Sequence, residues 1–172
     1  AFGWQGVGAN GFCSTAEYLS LFDDNDVRKT MFLVGQQYVD QIKDDDHLQY
    51  DNQNPPNLLI FDPVITNFYI QPPKTETAGA RCAKWEFNKT GWHMSNDFAV
   101  YRLADIILMK AEAQFRNGDA AGALVTINKK YNGVSIRSRT GLPDFSANEM
   151  TLDGLLRERA RELSWEGLRR ND

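Results

Sequence analysis

From residue 96 onward, apolar positions recur at the spacing of a helix, whereas the first 95 residues hold only short apolar stretches broken by Asn, Asp, Gly and Pro. Val100, Leu103, Ala104, Ile107, Leu108, Ala111 and Phe115 follow the i, i+3, i+4, i+7 rule, so the pattern predicts a helix with one buried face and Asn96 as its N-cap. Ile106, Met109 and Ala113 broaden that face. Asn117-Gly118 stops the helix, Asp119 caps a second one carrying Ala123, Leu124 and Ile127, and Asn132-Gly133 is expected to end it. A third helix is predicted from residue 151 to at least 168, with Leu152, Leu155, Leu156, Ala160 and Leu163 as its apolar stripe. In the first half, residues 15–22 read as a short helix and 30–39, 58–61 and 64–70 as short strands, with loops at 51–56 and 71–79.

The alternation of small and large residues in Ala104, Leu108, Ala111, Ala113, Gly118-Asp119 and Ala123-Leu124 is that of a tetratricopeptide unit, in which small side chains let two helices approach closely. The expected fold class is therefore mainly α. Tetratricopeptide-like helical hairpins in residues 96–172 form a scaffold, and an irregular lobe with short β-strands in residues 1–95 forms the candidate ligand side.

Composition narrows the function classes. The 172 residues are 42% hydrophobic and 24% charged, which suits a packed domain. The longest apolar runs, such as Leu58 to Phe61, are far short of the roughly 20 residues that span a bilayer. A net charge of −4 argues against a surface that neutralises nucleic-acid phosphates. The chain has no initiator Met, no signal peptide and no lipid-attachment Cys at its start, and it stops inside a helical pattern, which reads as a piece of a longer protein. Cys13 and Cys82 lack C-x-x-C spacing and are too few for a disulfide framework; they can pair or stay free.

Several motifs have a plain reading beside a chemical one. Gly6-Val7-Gly8-Ala9-Asn10-Gly11 has the letters of a dinucleotide fingerprint, but no apolar strand precedes it and no amphipathic helix follows, so a surface loop is preferred. Asp23-Asp24-Asn25-Asp26 and Asp44-Asp45-Asp46 lack the Gly and distant Glu of a calcium loop and read as solvated turn acids, with Asp24 or Asp26 in reach of Arg28. His47 and His93 sit in polar surroundings, without helical spacing for a metal and without a recognisable nucleophile. No cofactor or metal is called for. Glu158, Glu162 and Glu166, at i, i+4 and i+8 among arginines, read as an ion-pair network, with Glu158 opposite Arg161 and Glu166 opposite Arg169 or Arg170. Of the four tryptophans, Trp165 lies in a helix that must pack. Trp4, in a glycine-rich loop, is the candidate platform on which a sugar ring could stack, and Asn10 in the same loop is its candidate hydrogen-bonding neighbour.

The run from Asn96 to Ala113, with Tyr101-Arg102-Leu103-Ala104-Asp105 at its centre, resembles the signature of SusD/RagB-family outer-membrane nutrient-binding lipoproteins. Asn117-Gly118-Asp119, Arg137-Ser138-Arg139-Thr140-Gly141-Leu142, Glu158-Arg159, Glu162-Leu163 and Glu166-Gly167 follow in that family's order, and Asp26-Val27-Arg28 is similar to its upstream D-x-R segment. Arg170 stands where an aromatic is usual, and residues 131–136 are longer and less regular than the usual link.

The resemblance implies a surface-exposed protein of the outer membrane of Bacteroidetes-type bacteria, held by a lipid anchor outside this chain. Such a protein captures oligosaccharides or polysaccharides over a TonB-dependent SusC-like transporter and catalyses nothing. It also implies that Arg102, Asp105, Glu112, Glu158, Arg159 and Glu162 hold helices together while loops contact the sugar. Two alternatives stay open: a tetratricopeptide adaptor that binds protein without any glycan, and a glycoside hydrolase, which needs two carboxylates about 5 to 10 Å apart across a cleft.

Overall fold

The computed structural model describes residues 12–39, 42–51, 55–66, 77–85, 96–169 and 172. Most of the regular structure is helical, with small two-stranded sheets. The chain divides into two compact units, Ala1–Ser20 with Thr30–Asp97, and Leu21–Lys29 with Phe98–Asp172. Residues 21–29 therefore leave the first half of the chain and build part of the helical unit.

In the first unit, Thr15 caps the short helix α1 (Ala16–Leu19) by accepting the Tyr18 N–H, and Tyr18 meets Phe32 edge to face at 6.1 Å. The strand expected over 30–39 is interrupted. A 3-10 turn, Val27–Met31, leads into β1 (Phe32–Leu33), and β2 (Gly35–Gln36) follows after one residue. β1 pairs antiparallel with β4 (Arg81–Cys82) and β2 with β3 (Ile60–Phe61), so the chain changes ladder partner at Val34. Gly35 makes the change possible because its φ of +72 lies where side chains are strained. Isolated bridges at Tyr38↔Leu48 and Tyr50↔Leu58 extend the pairing. No strand forms at 64–66, and 67–70 lie outside the described residues. Phe32, Phe61 and Ala80 are the buried apolar side chains of this unit among the described residues.

In the second unit, α2 (Leu103–Arg116) begins six residues later than the pattern predicts. Arg102, not Asn96, stands at the N-cap in extended backbone, because its guanidinium is engaged elsewhere and holds the residue out of the helix. The buried face carries Asp105, Ile107, Leu108 and Ala111, with Ala104 and Phe115 partly covered. Val100, Leu103, Ile106, Met109 and Ala113 are exposed, so the buried stripe is narrower than the apolar sequence suggests.

Asp119 caps α3 (Ala120–Ile127) through the Gly122 N–H at 2.8 Å, and Ala123 and Ile127 pack on α2. This helix ends at Asn128, before Asn132-Gly133. With φ of +51 and +86, those two residues form the turn of a tight hairpin closed by Tyr131 and Val134, a task for which Asn-Gly is the preferred pair.

Thr151 caps α4 (Leu152–Glu162) by accepting the Gly154 N–H at 3.0 Å. The core cluster runs from Ile107, Leu108 and Ala111 through Ala123, Ile127 and Ile136 to Phe145, Met150 and Leu155. The third helix stops at Glu162 rather than at 168. Trp165 takes a φ of +61 just beyond it, a conformation no helix contains and one strained for a bulky side chain. Among the described residues no helix is long and apolar enough to cross a membrane.

Candidate functional site

α4 is unusual in what it buries. Glu158, Arg159, Arg161 and Glu162 are all inside, beside Leu155 and Ala160. Ionised groups are tolerated there only when paired and fully hydrogen-bonded.

The pairing is dense. Arg28 takes Asp26 in a fork, Nε at 3.0 Å and Nη2 at 2.8 Å, and its Nη1 reaches Glu158 Oε1 at 2.8 Å and Glu162 Oε2 at 3.0 Å. Glu158 Oε2 accepts from Arg137 Nε at 2.9 Å and Arg161 Nη2 at 2.7 Å. Glu162 Oε1 accepts from Arg102 Nη1 at 3.0 Å and from Arg139 Nη2. Arg102 also forks onto Glu166 at 2.9 and 2.7 Å. At the far side, Arg159 binds Asp105 at 2.7 Å and Asp172 at 3.0 Å.

Burial alone would raise the Glu158 carboxyl; Arg28, Arg161 and Arg137 outweigh it and hold it below the usual carboxylate range. Glu149 follows the same logic. Partial burial raises it, and hydrogen bonds from Arg137 and Ser146 bring it down to about 2. Both therefore stay ionised at neutral pH, which suits a structural anion and not a proton donor.

A cavity of about 380 Å³ opens on the flank of this network. Asp23, Arg137, Glu149, Asp153, Arg157 and Arg161 supply its charged groups, the first turn of α4 one edge, and Leu142 and Pro143 an apolar wall.

Trp4 and Asn10 lie outside the described residues, as do the 6–11 glycine run, Trp92 and His93. Of the turn acids, Asp26 joins Arg28 while Asp24 pairs with Lys29, and Asp44 caps a 3-10 turn, accepting from the His47 N–H. Cys13 and Cys82 are both free thiols, and burial pushes the Cys82 thiol up. Among the described residues no group of three or more His, Cys, Asp or Glu is arranged to hold a metal ion.

The expected glutamate network exists, including the Glu158–Arg161 pair, but Glu166 lies past the end of the helix and is held by Arg102. Sequence spacing missed the partners 130 residues upstream, although the D-x-R segment marked them. It also missed the cavity, whose residues come from three separate segments.

The model of the SusD family matches residues 71–172, more than half of the chain. No curated protein and no solved structure matches it.

Proposed function

The chain belongs to the SusD family, and on that premise we propose that it captures oligosaccharides or polysaccharides for nutrient uptake at the outer cell surface, handing them to a TonB-dependent SusC-like transporter. Membership of a family of binding proteins supports a non-catalytic role. The family match is the observation that carries the reading; the ion-pair network agrees with it, because Arg102, Asp105, Glu158, Arg159 and Glu162 are occupied by ion pairs and hold helices together. We extend the same reading to the architecture. The α2–α3 hairpin, joined by three residues and covered by α4, is one tetratricopeptide-like repeat of a larger scaffold, and the 1–95 lobe is its ligand side.

Capture there proceeds by stacking and hydroxyl bonding, with Trp4 as platform and Asn10 as its neighbour. A calorimetric and affinity-electrophoresis screen of the full-length protein against soluble glycans tests this. Saturable binding without product formation supports it, and Trp4→Ala is expected to weaken binding about tenfold, about 1.4 kcal/mol. Unchanged affinity in Trp4→Ala refutes the platform, and absence of binding to every glycan refutes the function.

A second reading, protein docking without a sugar, is favoured by one feature. Phe98, Val100, Tyr101, Leu103, Ile106 and Met109 leave large apolar side chains exposed along and just before α2. Pull-down of the transporter by a protein that binds no glycan would decide for it.

A further inference from the structure

We propose that the cavity at the start of α4 is a sugar subsite for a single neutral, hydroxyl-rich ring. The proposal deepens the glycan reading and rests on it, but it concerns residues that reading does not use. At about 380 Å³ the cavity falls at the small end of ligand pockets, about 300–1,000 Å³, which suits one sugar unit and not an extended chain.

The donors and acceptors around it are paired but not exhausted. Arg157 gives Asp153 only its Nε, at 2.7 Å, and both side chains are well exposed. Arg137 uses Nε on Glu158 and Nη1 on Glu149, so its Nη2 remains. Arg161 borders the cavity and is more than nine-tenths buried; its Nε–H has no acceptor but is itself closed off from solvent, so it is Arg137 and Arg157 that supply the reachable donors. A guanidinium has five N–H donors and a carboxylate about four acceptor positions, so each pair retains capacity on both sides.

Charge selects the ligand class. Three guanidiniums, of Arg137, Arg157 and Arg161, face three carboxylates, of Asp23, Glu149 and Asp153. A simple anion meets the three carboxylates, and a simple cation meets the three guanidiniums. Neighbouring hydroxyls each donate and accept, so they can bridge an arginine to a carboxylate without a net charge to repel. Leu142 and Pro143 offer the C–H face of a sugar ring an apolar wall, in place of the aromatic platform that no lining residue supplies.

The test is a titration of the full-length protein, with ¹⁵N-labelled arginine, using glucose, galactose, mannose and N-acetylglucosamine, with glycerol and acetate alongside. The Nε–Hε signals of Arg137, Arg157 and Arg161 report the cavity. The expected result is a saturable shift of these signals with at least one sugar and none with acetate. Arg157→Ala and Asp153→Asn, on the exposed rim and outside the buried network, should weaken it tenfold or more at unchanged melting temperature. No shift with any sugar, an equal saturable response to glycerol, or saturation by acetate would overturn the subsite.

Affinity electrophoresis on polysaccharide separates the two readings. Silent arginine signals with polysaccharide retention intact discard the subsite and leave glycan capture standing. A saturable monosaccharide shift in a protein that no polysaccharide retains keeps the subsite and removes polysaccharide capture.

Discussion

The two units of the chain are stabilised by different means. The loop-rich unit has two-residue strands, isolated bridges and a few buried apolar side chains among its described residues, Phe32, Phe61 and Ala80. The helical unit has a continuous apolar cluster from Ile107 to Leu155, and beside it an interior of charge in which Glu158 serves three arginines. Apolar packing tolerates exchange among side chains of similar volume. A carboxylate shared by three guanidiniums tolerates far less, since removing it takes one anion from three buried cations at once, leaving Arg28 to Asp26 and Glu162 and Arg137 to Glu149. The comparison explains why the residue patterns that mark the family, Arg102 with Asp105 and Glu158 with Arg159 and Glu162, lie in the helical unit, where each of these side chains has a buried ion-pair partner.

The strongest way to break the comparison is Glu158→Gln. The volume is kept and the anion is lost, so Arg28, Arg137 and Arg161 face an amide. We expect a loss of about 3–5 kcal/mol in the denaturant-induced unfolding of the helical unit. A loss below about 1 kcal/mol would mean the charged interior is not what holds α4 in place. Leu108→Ala removes a fully buried side chain from the apolar cluster and should cost about 2–5 kcal/mol. Together with Glu158→Gln it compares the two kinds of interior within one unit.

Acid titration has a defined sign. Glu149 is depressed from 4.5 to about 2, and Glu158 is depressed as well, so both contribute stability above the unfolded value of 4.5. That contribution is lost as pH falls from about 4.5 through about 2, where the folded protein must also take up the proton. Thermal unfolding followed across this window should show the helical unit weakening. Glu149→Gln should flatten part of the slope, by about 1 kcal/mol or less because the Glu149 side chain is nearly half exposed and solvent screens its pair with Arg137.

How much of this was legible in the sequence follows from the range of each interaction. The α2–α3 hairpin could be read, because helical periodicity and the Asn117-Gly118-Asp119 punctuation act within a few residues. The start of α2 could not, because Arg102 is held by Glu162 and Glu166, some sixty residues on. The width of its buried face was also hidden. Leu103, Ile106 and Met109 are as apolar as Leu108, and only packing distinguishes them. Asn132-Gly133 was legible as a turn but ambiguous in kind, since a helix end and a tight hairpin favour the same residues. The glutamate spacing on α4 showed that charges must pair. It did not show that Arg28 would cross 130 residues to do so, or that Asp23 would border a cavity with Arg157.

An effect of similarly small size sharpens the comparison from the other unit. Asp51 fastens one loop of the first unit by accepting the Asn57 N–H at 2.8 Å and its side-chain amide at 3.1 Å, while its own N–H bonds the Asn57 carbonyl at 2.8 Å. Asp51→Ala removes the side-chain bonds and leaves the backbone bond in place. The expected cost is about 0.5–1.5 kcal/mol, the worth of a hydrogen bond that water can replace. If ladders and turns are independent fastenings, amide exchange should accelerate around Leu48, Tyr50 and Leu58, with α2 and α4 unchanged. Faster exchange spreading through α4 would instead show the first unit to be a cooperative part of the helical one, and the division between a charged helical scaffold and an independently fastened loop-rich unit would have to be abandoned.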